Sequence, residues 1–354
     1  MTATLQHSLS DVREAFTGGR DYLSACTSGL PTRATRAAVI ADLDAASVGA
    51  LNTGAYATAA ENCRAHFARL VRVDSDRIAI GSQTSVLTSL LAASLPDGAE
   101  VLVPDKEFSS IVLPFVHAGR GIHIRSVPLE SLAAEIRTHT TLVAFSLVQS
   151  ATGAVADSDA IEQAARAVGA RLLCDATQAI GWLPADADRY DALVCHAYKW
   201  LCTPRGVAFL ALSEEYAATL RPIHAGWCAG EDPWASCYGH EVDLAVSARR
   251  FDVSPAWQAL VAAEPALELF ARADRDALRE YTTSLATRFR ERMGLEQPER
   301  ASAIVTWCDP DGRDLAALAA AGITASGRDG RARVAFHVFN DSHDVERAVA
   351  ALER

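Results

Sequence analysis

The chain has 354 residues, half of them apolar and 22% charged, with a formal net charge of -11. That length and apolar content allow a large buried core shared by two domains. The acidic balance, without any dense Lys/Arg stripe, excludes the electrostatic footprint of a phosphate backbone, so no nucleic-acid partner is expected.

The opening MTATLQHSLSDVREAF has no basic segment followed by an apolar one, and no apolar run reaches the roughly 18 residues that a bilayer span requires. A cytoplasmic location is expected, with no membrane association. Cysteines at 26, 63, 174, 195, 202, 228, 237 and 308 show no framework spacing, and several fall in apolar runs, the pattern of reduced and buried thiols. Cys228, Cys237 and His240 lie close in sequence, but without a Cys-x-x-Cys pair or a fourth ligand no metal is expected.

Strand-like apolar runs follow one another as RIAIG at 77, EVLVP at 100, GIHIRSVP at 121, TLVAFSLV at 141, RLLCD at 171, ALVCH at 192 and GVAFLALS at 206. Helical patterns such as TSVLTSLLAASL and SDAIEQAARAVGA separate them. This alternation predicts an α/β fold, a mostly parallel seven-stranded sheet with helices on both faces. An irregular stretch, HAGWCAGEDPWASCYGHEVD, then leads into one long helical segment running from Ser254 to Met293. The tail, with ASAIVTWCD, RDLAALAAAG, RARVAFHVFN and SHDVERAVAALE, predicts a smaller α+β unit with its own antiparallel sheet. Boundaries are expected at 15–240 for the large domain and 241–354 for the small one, with residues 1–14 packing on the latter. Cys308 ends the apolar run SAIVTWC and is expected to close a buried strand.

Two residues carry the first chemical signal. Asp175 ends RLLCD, and Lys199 lies just past ALVCH. Singly, an aspartate there reads as turn punctuation and a lysine as a solvated charge. Together they stand at the carboxyl ends of neighbouring strands, where sheets of this kind bind ligands. A carboxylate and an amine so placed can hold the two ends of a flat cationic ring, and pyridoxal phosphate is such a ring. Lys199 would take its aldehyde carbon as a Schiff base, and Asp175 would keep the pyridine nitrogen protonated as an electron sink. Gln178, three residues after the aspartate, offers an amide to the ring's phenolic oxygen.

DATQAIG and CHAYKWLCTPRGVAFL together make the chain similar to the class V aminotransferase and cysteine desulfurase family of fold type I pyridoxal phosphate enzymes. The resemblance runs from YLSACTSG at 22 to RVAFHVFN at 333. It implies further roles. IAIGSQTSVLTSLL resembles the family's phosphate cup, with Gln83 and Thr84 at a helix N-terminus; alone, the stretch reads as an ordinary helix cap. KEFSSIVLPF places Phe108 where the family has the residue that stacks on the ring, although alone it reads as a core side chain. His196 and Tyr198 match phosphate contacts, and Ser150 in LVQSATG stands where the family often has Asn near the phenolic oxygen.

RRFDVSPAWQAL resembles the segment that sends a hydroxyl to the neighbouring subunit's phosphate in a homodimer. Ser254 is that candidate, and it reads equally as an N-cap before Pro255. Arg333 matches the arginine that grips a substrate α-carboxylate; Arg331, on the same strand face, is set apart from it only by motif position. No mobile cysteine precedes that arginine in ITASGRDGRAR, which disfavours a desulfurase. The expected activity is a carbon–sulfur β-lyase acting on an S-substituted cysteine or a similar amino acid, with a class V aminotransferase or an amino-acid epimerase as the alternative.

Overall fold

The structure is a computed structural model, and it describes residues 6–353; of the N-terminal stretch expected to pack on the smaller unit, residues 1–5 lie outside these. In chain order the elements are α1 (Leu9–Glu14), α2 (Arg33–Ser47), α3 (Thr53–Val71), β1 (Ile78–Gly81), α4 (Thr84–Ser94), β2 (Glu100–Pro104) and α5 (Ser109–Val116). They continue as β3 (His123–Val127), β4 (Thr140–Ser146), α6 (Ser158–Val168), β5 (Arg171–Asp175), β6 (Ala192–His196), β7 (Ala208–Leu212) and α7 (Glu214–Ala217). The last third holds α8 (Trp257–Ala271), α9 (Arg275–Met293), β8 (Ile304–Cys308), α10 (Arg313–Ala320), β9 (Ser326–Arg328), β10 (Arg331–Ala335) and α11 (Ser342–Leu352).

All seven expected strands form one sheet, in the order β1-β7-β6-β5-β4-β2-β3. Pairing is parallel from β3 through β6, while β7 runs antiparallel to both β6 and β1. Every residue of β6 and β7 is buried, as expected of strands covered on both faces. Side-chain alternation divides each strand between two cores. Ile80, Val143, Phe145, Leu193 and Phe209 face α3, α6 and α8. Their neighbours Ala79, Leu142, Ala144, Val194 and Leu210 face α4 and α5. A separate three-stranded antiparallel sheet, β8-β10-β9, packs Val305, Trp307 and Val334 against Phe289 of α9 and Val345 and Val349 of α11.

Three local expectations differ from the structure. The segment 254–293 is two helices rather than one: α8 ends at Ala271, and Asp274 caps α9 by accepting from the backbone N–H groups of Asp276 and Ala277, both at 3.1 Å. His7 fills the break, donating to Arg272 O at 2.7 Å and accepting from Asp274 N. α8 buries Leu260 and Leu267 with the large sheet, whereas α9 buries Leu278 with that core and Leu285 and Phe289 with the small one.

Ser254 is not the N-cap of α8, which starts at Trp257 with Ala256 before it; Ser254 is exposed. The cause is a tether just upstream. Buried Asp252 is held by Arg64 of α3 at 2.6 Å and by Ile80 N at 2.7 Å, and Val253 N bonds Ile80 O. These bonds keep 252–253 extended along β1, so the helix starts later. Cys308 is exposed rather than buried, because it is the last residue of β8 and pairs with Arg331 where the small sheet opens to solvent.

Candidate active site

Parallel strands bring their carboxyl ends into line, and the loops that follow β4, β5 and β6 carry Ser150, Asp175, Gln178, His196, Tyr198 and Lys199 to one place. The β1–α4 turn adds Gln83 and Thr84, and the β2–α5 loop adds Phe108, the N-cap of α5. Together they line a cavity of about 230 Å³. Of the expected site residues, Arg333 stands just behind this wall. Ser254 is not part of it.

Asp175 is 4% exposed and accepts from Thr177 N at 2.8 Å. Burial raises its pKa above the usual carboxylate range, opposed by the hydrogen bonds from Thr177 and by the charge of Lys199. Thr177 Oγ1 in turn accepts from His196 N at 3.0 Å, locking the β5 and β6 loops together. Lys199 is 5% exposed, with Nζ 5.2 Å from the Phe108 ring centroid and 5.7 Å from that of Tyr198. Burial brings its pKa down to about 8, although Asp175 pulls the other way. A lysine so depressed has a substantial neutral fraction near neutral pH, the form that attacks a carbonyl or takes a proton. Among the described residues neither Asp175 nor Lys199 has an ion-pair partner within contact distance.

The opposite end of the cavity suits an anion. Gln83 is the N-cap of α4 and makes no side-chain cap bond, so the first-turn N–H groups keep no such acceptor. His196 Nε2 is buried without a hydrogen-bond partner. Burial, then the charges of Arg205 and Lys199, lower the His196 pKa to about 4, so the imidazole stays neutral. Arg205 also lines the cavity, its guanidinium 4.4 Å from the Tyr198 ring centroid. Sequence reasoning passed over it, though it lies in the same PRG stretch that follows the lysine.

Arg333 is 1% exposed, and burial lowers its pKa. Its Nη1 donates to the carbonyl and, at 3.1 Å, to the hydroxyl of Ser150; Nη2 donates to Thr27 Oγ1 at 3.0 Å and Nε to Ser326 Oγ at 3.1 Å. Its hydrogen-bond partners, Cys26 among them, carry no countercharge. Arg331 is instead tied to Thr306 across the small sheet. Gln178 spends its amide locally: Nε2 donates to Cys26 O at 2.9 Å and Ser150 Oγ at 3.2 Å, and Oε1 accepts from Trp200 Nε1. Cys26 and Thr27 lie in the YLSACTSG stretch of the resemblance but were given no role there; a bridge between Ser24 and Ala335 brings them to the site from far along the chain. Glu107 was also missed; its carboxylate accepts from Phe108 N at 2.6 Å and from Ser146 N and Oγ, fixing the base of the Phe108 loop.

The lysine's turn is clamped by two glycines. Gly29 N donates to Tyr198 O at 2.9 Å, and a Cβ on Gly29 would stand 2.0 Å from Lys199 O. On the other side Gly181, at φ +121°, would bring a Cβ to 2.4 Å from Trp200 O.

These features fit pyridoxal phosphate. A buried carboxylate without a cation faces one end, unsatisfied N–H groups and an unpartnered imidazole nitrogen face the other, and a buried amine stands between them. Asp175 would meet the ring nitrogen, Lys199 the aldehyde carbon, and the α4 N-terminus with His196, Tyr198 and Arg205 the phosphate.

Residues 23–305 match the family model described as Aminotransferase class-V. An uncharacterized aminotransferase, YcbU of Bacillus subtilis (strain 168), is 30% identical over 222 residues; the match covers 59% of this chain and 58% of YcbU, little more than half of that relative. Isopenicillin N epimerase of Amycolatopsis lactamdurans is 28% identical over 329 residues, covering 78% of this chain and 80% of that protein. Among solved structures, the complex between the cystine C-S lyase C-DES and cysteine persulfide is similar with a TM-score of 0.84 at 19% identity, over 95% of this chain and 97% of that one, and so has the same fold. No helix among the described residues is long and apolar enough to cross a membrane.

Two measurements follow from this geometry. Gly29→Ala pushes a methyl group into the Lys199 carbonyl, a strain of about 1–3 kcal/mol; it lowers both the melting temperature and the cofactor bound after reconstitution, and unchanged values for both would contradict the clamp. The second concerns pH. Because the Lys199 pKa is about 8 in the fold and roughly 10.4 in an unfolded chain, the unfolded chain binds more protons between those values. The cofactor-free protein therefore gains stability from this group as pH rises through that window. Urea unfolding of wild type and Lys199→Met checks this: the variant lacks the gain, and parallel pH profiles would refute it.

Proposed function

The chain belongs to the aminotransferase class V family of pyridoxal phosphate-dependent enzymes, and from that premise we propose that it is a carbon–sulfur β-lyase acting on S-substituted cysteines. The observation that carries this reading is Lys199. It is the one amine among the described lining residues, it is buried with its pKa near 8, and it faces the hydrocarbon ring of Phe108.

Lys199 would hold the cofactor's aldehyde carbon. With an amino acid bound, Lys199 would be the free amine that removes the α-proton. Bound pyridoxal phosphate supplies the electron sink for the charge left at the α-carbon. Asp175 keeps the ring nitrogen protonated, because a buried carboxylate without a cation gains most from a positive partner. Arg333 takes the α-carboxylate, using N–H groups released from Thr27 and Ser150. The Cβ–S bond then breaks with its electron pair on sulfur, and the Lys199 ammonium returns the proton to the leaving thiolate. The remaining 2-aminoacrylate takes up water and ends as pyruvate and ammonium, which balances the reaction.

Elimination asks for one proton carrier on one face, and that matches this cavity. An epimerase acting through two carriers needs a second group across the α-carbon, where a phenyl ring cannot serve. A desulfurase needs a reachable thiol, and the β9–β10 hairpin carries Ser326, Gly327, Arg328, Asp329 and Gly330, none of them a cysteine. Cys26 lies behind the wall, 1% exposed.

The reading includes a cytoplasmic homodimer. Eight free cysteines suit a reducing compartment, and Trp234, Tyr238 and Val246 leave apolar surface for a second copy, with Tyr238 92% exposed. Sedimentation equilibrium gives twice the chain mass; a monomer at micromolar concentration removes this part.

The activity is tested by incubating the holoenzyme with S-substituted cysteines and no keto acid. Pyruvate and free thiol form in equal amounts, and Lys199→Ala forms neither. Conversion of the cofactor to its pyridoxamine form without thiol release identifies an aminotransferase instead, and loss of optical activity at the α-carbon without either product identifies an epimerase.

A further inference from the structure

The β9–β10 hairpin reaches from the small sheet to the rim of the cavity. Pairing in that sheet sets Ser326 opposite Arg333 and Arg328 opposite Arg331, and residues two apart on a strand share a face. Ser326 Oγ accepts from Arg333 Nε at 3.1 Å, so this face is the one turned to the site. Arg328 therefore stands on it one step outward from Arg333, about 7 Å along the strands. The tip of the hairpin is tied to the opposite rim: Asp329 meets Lys106 at 2.6 Å, and Lys106 lies just ahead of Phe108 in the β2–α5 loop.

Arg328 is exposed, and its guanidinium donates to the adjacent Gly327 O at 2.6 Å and meets no carboxylate among the described residues. The other cations of this region are engaged, Lys106 with Asp329, Arg331 with Thr306 and Arg205 over the Tyr198 ring. Burial sets the pKa shifts of Lys199 and Arg333, and the charge of Arg328 adds to both in the same downward direction, so its field reaches into the site. Arg333 itself is buried. The side chain of an amino acid held there by its α-carboxylate has room only toward the rim, where the unpaired guanidinium stands.

We infer that Arg328 is the specificity residue for a second anionic group, and that the S-substituent of the preferred substrate ends in a carboxylate. The inference rests on the reading of the site as one for S-substituted cysteines, with Arg333 on the α-carboxylate. An arginine fork takes a carboxylate through two parallel N–H groups. Its exposed position lets it do so without the cost of keeping a free charge buried. The two arginines then read the two ends of one dicarboxylic amino acid.

The test compares S-carboxymethylcysteine with its uncharged isostere, S-carbamoylmethylcysteine, each titrated into the holoenzyme and followed by the change in visible absorption on binding. Wild type binds the acid about five- to tenfold more tightly than the amide, as expected of a charge-assisted contact at a partly screened site. Arg328→Gln, a change at an exposed position, brings that ratio to about one, and Arg328→Lys keeps part of it. Added salt narrows the ratio in wild type and leaves that of Arg328→Gln in place.

Equal binding of acid and amide by wild type overturns the inference. So does a preference that survives Arg328→Gln, which would assign the second carboxylate to another cation. Selective binding without release of thiol or pyruvate removes the elimination and leaves the assignment of Arg328 standing. If neither compound changes the absorption, the amino-acid site falls and this inference falls with it.

Discussion

Three buried charges without counter-charges organise this molecule. Asp175, Lys199 and Arg333 are each at most 5% exposed. None has an ion-pair partner among the described residues, whereas the equally buried Arg64 has Asp252 at 2.6 Å. An ion taken out of water without a partner costs several kcal/mol, so each of these groups favours a ligand that supplies the missing charge. Hydrogen bonds from Thr177, and to Ser150, Thr27 and Ser326, offset only part of that cost. The missing charges match the roles we propose: a cation against the aspartate, an aldehyde for the amine, a carboxylate for the arginine.

The topology explains how such charges come to share one space. Parallel strands β4, β5 and β6 end side by side, so the loops after them deliver Ser150, Asp175 and Lys199 without further design. The small sheet supplies Arg333 from β10, and Ser24 bridges to Ala335 on that strand, which sets Cys26 and Thr27 against the same wall. Phe108 is positioned by Glu107, whose carboxylate holds both its backbone N–H and Ser146. Each charged group rests on a neutral second partner that is itself anchored elsewhere.

Much of this was legible in the sequence, and the reason is locality. The central strands announced themselves as short apolar runs because both faces of the sheet are covered there, and Asp175 and Lys199 stood at or just past the ends of two of them. What escaped depends on distant contacts. The Ala-rich pattern from 254 to 293 reads as one helix, although Asp274 is the cap that divides it, because only the inserted His7 explains the break. Ser254 read as a cap because the tether of Asp252 to Arg64 and Ile80 has no trace in local pattern. Gln178 looked available because its partners are non-local: Cys26 is far away in sequence and Trp200 lies beyond β6.

The glycine clamp has a bearing on how the protein is made. Gly29 leaves the ribosome early and Lys199 much later, yet the carbonyl of one abuts the α-carbon of the other with no room for a methyl group. Residues 24–29 must therefore wait, unpaired, until the strands that carry the lysine and then β10 have been synthesised and docked. A nascent chain that has completed the large sheet already owns Asp175 and Lys199 but not the wall behind them. The wall behind the two residues is therefore complete only once segment 24–29 and β10 are both in place.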